Sequence, residues 1–348
     1  MIKLEVNSKP LTPRRGVPAP LLGRSEHRDS RSDYFKAGAI VAVVGIHAGL
    51  PYSTALRFCV PAFIVIWAFH FERALSRRSP REFLSYVAQR FVRLLVPYMF
   101  WTALYLLLFR SAFEWKRMPI HTIIGGALGG YGWPGQYFFV ILFQLTLLMP
   151  FLRRWVNPRS VWISLAAGLL LNTIAYYLLF SNWVVSGLGD RLFIYWLSYV
   201  FMGVAFARGY PRAVPALVIV ALISLLAAPS ELGEMMITNR RVSPYLLPTV
   251  TVGSFALLLA LGPRLGAVAA PAHQHDHLLH KAVVFVGQRS LVIFVANPLF
   301  VEGALRNSFA PRSALLSGKI ALVGIAVVGS LILGGILRRL KLGVLVGR

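Results

Sequence analysis

From residue 34 to 340 the chain alternates long apolar runs with short polar stretches that carry most of its charge. Ten runs read as membrane-spanning helices, at roughly 34–53, 56–75, 94–113, 134–152, 161–181, 191–207, 213–229, 245–262, 283–301 and 315–337. A helix needs about 20 mainly apolar residues to cross a bilayer core. Several runs are short and contain Pro or Gly, so nine or eleven spans fit the same pattern. The pattern predicts an all-α, polytopic transmembrane helix bundle of about ten spans. Residues 1–33 hold seven basic residues (Lys3, Lys9, Arg14, Arg15, Arg24, Arg28, Arg31) and no apolar run. They read as a disordered basic cytoplasmic tail ahead of a transmembrane domain at 34–340. No cleavage site of small residues follows a short apolar stretch, so the tail does not read as a signal peptide.

Composition agrees with that pattern. Of the 348 residues 57% are hydrophobic and only 14% charged, a balance that excludes an ordinary soluble domain. The net charge of +24 would suggest nucleic acid in a soluble chain. Here the cations sit between apolar runs, without a basic-aromatic module, so topology and anionic headgroups account for them and nucleic acid is set aside. With the N-terminus inside, the stretches assigned to the inner face hold most of the 36 Lys and Arg residues, Arg90 and Arg93 among them. That excess predicts both termini in the cytoplasm. Tyr34, Trp101, Trp133 and Trp162 lie near run ends, as an interfacial belt requires. The single cysteine, Cys59, excludes an intrachain disulfide and a Cys-based metal site.

Ionisable residues at membrane depth mark functional sites by default. Asp33, Lys36 and His47 lie on the first run, with ten residues between Lys36 and His47. Eleven helical steps are close to three turns, which puts both side chains on one face, roughly 16 Å apart along the axis. A neutral imidazole in a low-dielectric bundle is a usable general base. The same residues also fit a packed histidine and a lysine snorkelling to the inner interface. Arg90 and Arg93, three apart and followed by Pro97, present two guanidiniums suited to phosphate. As a positive-inside anchor they need no ligand.

Taken together these residues resemble the opening of the membrane acyltransferase-3 family of bacterial integral-membrane acyltransferases. The family begins with Asp, then Arg or Lys, ten residues and His, which Asp33, Lys36 and His47 match. Its Arg-x-x-Arg before Pro matches Arg90, Arg93 and Pro97. VPAFIVIWAFHFERAL (60–75) fits its second-span phrase loosely, and GQYFFVILFQLTLLMPFL (135–152) fits its aromatic fourth span. VGQRSLVIFVANPLF (286–300) resembles its late Gly-x-x-Ser-Leu segment. Two departures stand out. Trp67, Ala68, Phe69 and then His70 occupy the place of a frequent Ser-Gly, and Asn297 that of a frequent His. Both bear on the acceptor pocket more than on the donor chemistry.

The resemblance implies an acyl-CoA-dependent O-acyltransferase in the bacterial plasma (inner) membrane. It would move an acyl group, usually acetyl, from cytoplasmic acyl-CoA to a hydroxyl of an envelope or exported glycan or glycoside. Acyl-CoA is then a co-substrate, with no bound cofactor and no metal; the partners are the carbohydrate or glycolipid acceptor and membrane lipids. His47 is the expected catalytic base, and Lys36, Arg90 and Arg93 the acyl-CoA-binding residues. Asp33 and Arg57 are supporting charges. Backbone amides and Arg57 stay open as oxyanion donors, as do direct transfer and a transient acyl-histidine.

The tract HQHDHLLH (273–280) is histidine-rich but fits no closed metal site. Asp190 and Arg191, with Tyr131, Trp133 and Tyr137, lie at outer run ends, where they fit either a sugar or mutual pairing and the belt. RRLKLGVLVGR reads as an inner-surface anchor. A glycan or lipid transporter or flippase is the competing reading. It would show paired broken helices or an internal repeat, and neither is visible. An inactive structural relative is the third.

Overall fold

A computed structural model describes residues 31–109, 126, 129–130, 132–179, 191–210, 214–237, 244–262, 278–306 and 315–347. Among these residues there is no strand. The α-helices, in chain order, are α1 (Arg31–His47), α2 (Cys59–Leu75), α3 (Phe83–Phe109), α4 (Gln136–Leu152), α5 (Val161–Leu179) and α6 (Leu197–Ala207). They continue with α7 (Leu217–Ile237), α8 (Pro248–Leu261), α9 (Leu278–Gln288), α10 (Ser290–Arg306) and α11 (Leu316–Arg339). Each apolar run contains a helix. Four helical stretches are long and apolar enough to cross a membrane: Ala55–Leu75, Pro80–Leu108, Gln136–Trp155 and Leu316–Arg339. A fifth is counted if α9 and α10 are taken as one bent span.

That pair corrects the ninth run. The sequence predicts one span over 283–301, but the helix axis turns by 80° at Arg289. Leu278, Leu279 and Phe285 on α9 stay exposed, with Lys281 beside them, the amphipathic pattern of a helix lying on an interface. α9 crosses α1 so closely that a Cβ on Gly287 would lie 1.9 Å from the Asp33 carbonyl oxygen, which only glycine permits. The Tyr34 hydroxyl also meets His280 Nδ1 across this contact. The crossing explains why Asp33 is fully buried at the start of a helix.

Other expectations also change. Residues 31–33, assigned to the tail, already belong to α1, and residues 1–30 lie outside the described residues. Arg90 and Arg93 lie within α3, on one helix as their spacing predicts, and that helix already starts at Phe83, ahead of the apolar run, behind a capping box formed by Ser79 and Glu82. Trp101 and Trp133 are not belt residues. Trp133 Nε1 donates to Thr102 Oγ1 at 3.2 Å, and Trp101 Nε1 donates to the Leu345 carbonyl at 2.9 Å. An indole keeps its donor satisfied in a core only through such partners. The same bond turns the C-terminal segment inward, and Val346 is buried.

α2 packs along α6 and against α1, and so forms the centre of the bundle. Its C-terminal end is fixed by a buried carboxylate. Glu72 accepts from Arg153 through Nε at 2.7 Å and Nη2 at 2.9 Å, and from Arg208 through Nε at 2.9 Å. Ser76 Oγ adds a bond at 3.0 Å. Arg208 also donates to the Val156 carbonyl. One acidic side chain therefore ties α2 to the segment after α4 and to the end of α6.

Candidate active site

His47 sits in the last turn of α1, and the sequence stops the helix there. Leu50 N–H donates to the Gly45 carbonyl at 3.0 Å and Gly49 N–H to the Ile46 carbonyl at 3.1 Å. Gly49 has φ +68°, so this is a Schellman ending with glycine in the left-handed position. It fixes the turn from which the imidazole projects.

The ring meets α10. His47 Nδ1 lies 2.6 Å from Asn297 Oδ1. Which atom of the amide faces the ring follows from the backbone behind it. Pro298 has no N–H, so the helix cannot satisfy the Phe294 carbonyl in the usual way. Asn297 Nδ2 fills that place, donating to the Phe294 carbonyl at 2.8 Å and to the Ile293 carbonyl at 2.9 Å. The amide nitrogen is thereby committed to backbone, and the oxygen is left for the imidazole. An oxygen can only accept, so Nδ1 carries the hydrogen and Nε2 holds the lone pair. Asn297 is fully buried, which makes this orientation costly to lose. The sequence shows Asn297 only as a departure from a family pattern; the Asn-Pro step was the signal of its role.

Arg57 belongs to the one-turn helix Ala55–Phe58 that leads into α2. That helix packs on the last turns of α1, with Leu56 Cδ1 3.3 Å from where a Cβ on Gly45 would lie, and runs directly into the buried Cys59. The guanidinium lies over the Tyr245 ring, 4.6 Å from the centroid. Tyr245 in turn packs on Tyr137 at 5.6 Å and Trp196 at 6.4 Å.

A second group of charges gathers at the opposite end of α1. Lys36 Nζ pairs with Asp33 Oδ1 at 3.1 Å, one turn apart on α1. Arg90 Nε donates to the Tyr86 hydroxyl at 2.8 Å, and Arg78 stacks on the same ring at 4.1 Å. His70, on α2, lies in the field of Lys36, Arg73, Asp33 and Arg90, and its Nε2 is buried without a hydrogen-bond partner among the described residues. Lys36, Asp33 and Arg90 thus share one neighbourhood. Arg93 is exposed on α3. Asp190, Tyr131 and residues 273–277 of the histidine tract lie outside the described residues. Among the described residues no three His, Cys, Asp or Glu side chains converge as metal ligands would.

Two polar centres on one helix, an imidazole of defined tautomer and a cationic cluster about three turns away, can serve proton abstraction and anion binding respectively. The family model described as an acyltransferase domain matches residues 29–339, nearly the whole chain. Neither the comparison with curated proteins nor that with solved structures returns a match.

Proposed function

The chain belongs to the acyltransferase-3 family and is an acyltransferase with the apolar helices of an integral membrane protein, and from that membership we propose that it transfers an acyl group from cytoplasmic acyl-CoA to a hydroxyl of an envelope or exported glycan. Acetyl is the expected group and the bacterial inner membrane the expected location. The proposed topology has ten spans with both termini in the cytoplasm and α9 lying along the inner surface. What supports the catalytic reading most is the bond from His47 Nδ1 to Asn297 Oδ1, which leaves Nε2 able to take a proton.

In the proposed reaction the phosphates of the donor rest against Lys36, Arg90 and Arg93, with Asp33 orienting Lys36. The pantetheine arm, roughly the length of the gap between the two centres, carries the thioester toward His47. His47 Nε2 removes the proton of the acceptor hydroxyl as that oxygen attacks the acyl carbon.

The reading is tested by incubating the purified protein in lipid with labelled acetyl-CoA and extracted envelope glycan. Label is expected on the glycan; if none appears there while the glycan itself crosses the membrane, the protein is a transporter. Arg90→Ala and, separately, Arg93→Ala are expected to raise the KM for acyl-CoA about tenfold, as loss of a charge-assisted phosphate contact does. An unchanged KM in both would remove the phosphate role. Asn297→Leu frees the imidazole and is expected to lower kcat about 10- to 100-fold. Parent kcat in the folded variant would show that the tautomer is set elsewhere.

A further inference from the structure

We infer that Arg57, braced by Tyr245, is the group that holds the oxyanion of the transferred acyl carbonyl. The inference rests on the acyltransferase reading above and assigns a role that reading leaves open. Arg57 Nε is buried and has no hydrogen-bond partner among the described residues. Leaving a charged donor buried and unmade is expensive, and such a vacancy persists where a ligand completes it. The vacancy is beside the right group, because the one-turn helix that carries Arg57 packs on the last turns of α1, where a Cβ on Gly45 would lie 3.3 Å from Leu56 Cδ1. It is also held in place. The guanidinium lies 4.6 Å from the Tyr245 centroid, and that ring is wedged between Tyr137 and Trp196. Cation–π packing on one face fixes the plane of a guanidinium and leaves its edge donors free. A fixed donor aimed where negative charge develops is the arrangement that stabilises acyl transfer.

The acceptor oxygen forms a bond to the acyl carbon while its proton passes to His47 Nε2. The carbonyl π electrons move onto oxygen, and Arg57 Nε–H donates to the resulting oxyanion. The tetrahedral adduct collapses by breaking the carbon–sulfur bond. The coenzyme A thiolate leaves and takes the proton from His47 Nε2, so that the enzyme returns to its starting state. Neutral His47 and charged Arg57 thus divide the work between proton and electron pair.

Steady-state kinetics on the full-length protein in lipid, with labelled acetyl-CoA and envelope glycan, test this. Arg57→Gln is expected to lower kcat about 10²-fold, the cost of one oxyanion donor, with KM for acetyl-CoA within about twofold of the parent. Arg57→Lys keeps the charge but not the edge donor, and is expected to fall nearly as far. Arg57→Gly is expected to regain part of its rate when guanidinium is added, and Tyr245→Leu to lose about tenfold in kcat while Tyr245→Phe keeps the parent rate. Retention of the parent kcat by folded Arg57→Gln, or a change confined to KM, would overturn the assignment. So would full activity in Arg57→Lys, since charge alone would then suffice. If Arg57→Gln does not fold, the contrast between Tyr245→Leu and Tyr245→Phe decides, and equal kcat in the two overturns it. A parent protein that transfers no label defeats the acyltransferase reading itself, which is a different outcome from any of these.

Discussion

His47→Ala is expected to lower acyl transfer by about 10²- to 10⁴-fold, the range for loss of a positioned general base. The fold should tolerate the change. His47 is at the end of α1 and half-buried, and its side chain bonds Asn297 among the described residues. The KM for acyl-CoA should therefore change little, because the cationic cluster lies about three turns away at the other end of α1. Labelled acetyl transfer to envelope glycan, followed at saturating donor, gives the first number. Thermal unfolding of the same preparation separates chemistry from damage. A folded His47→Ala protein that transfers label at the parent rate would end the proposal that this imidazole is the base. Added imidazole separates two readings of a slow variant, because a missing base is partly replaced by small imidazole whereas a collapsed pocket is not. The same variant distinguishes a transporter, in which a substrate path lined by cations would survive loss of His47.

How much of this was legible beforehand depends on the reach of each interaction. The helices were readable because the period and length of apolar runs are local properties. The Lys36–His47 spacing was readable for the same reason, since both lie on one helix. The break at Arg289 was not, because the short polar step Gln288-Arg289-Ser290 between apolar stretches fits a span as well as a bend, and the close approach of Gly287 to Asp33 comes from across the fold. The partner of His47 was not readable either, for it comes from 250 residues away. Only Asn297 followed by Pro298, a side-chain donor next to a residue that strands a carbonyl, hinted at it. Trp101 and Trp133 misled because an indole at the end of an apolar run looks the same whether its N–H meets a headgroup or a buried acceptor. Tyr245 carried no signal, since its value lies in the ring it offers to Arg57 from the turn before α8, far along the chain.

Glu72→Ala is expected to cost about 3–5 kcal/mol of stability, the usual range when one partner of a buried ion pair is removed. The reason is what remains. The Arg153 and Arg208 side chains are only 16% and 24% exposed, and both point at a carboxylate that is 1% exposed. Without it, two guanidiniums stand side by side in a poorly solvated corner, with Ser76 Oγ and the Val156 carbonyl as the remaining acceptors. Glu72→Gln should lie between parent and Ala, because an amide oxygen still accepts but carries no charge. A triple variant, Glu72→Leu with Arg153→Met and Arg208→Met, should recover most of the loss, since apolar side chains of similar volume need no compensation there. The resistance of the protein in detergent to heat, read as Tm or as inactivation half-life, orders the four proteins. Glu72→Ala as stable as the parent would mean that the cluster is already solvated and contributes no more than a surface pair. The consequence reaches the active site because α2 is pinned by Glu72 at one end and leads directly from Arg57 at the other. A bundle loosened at the Glu72 end should lose acyl transfer at temperatures well below its unfolding, and the temperature at which activity fades should fall with Tm across the series.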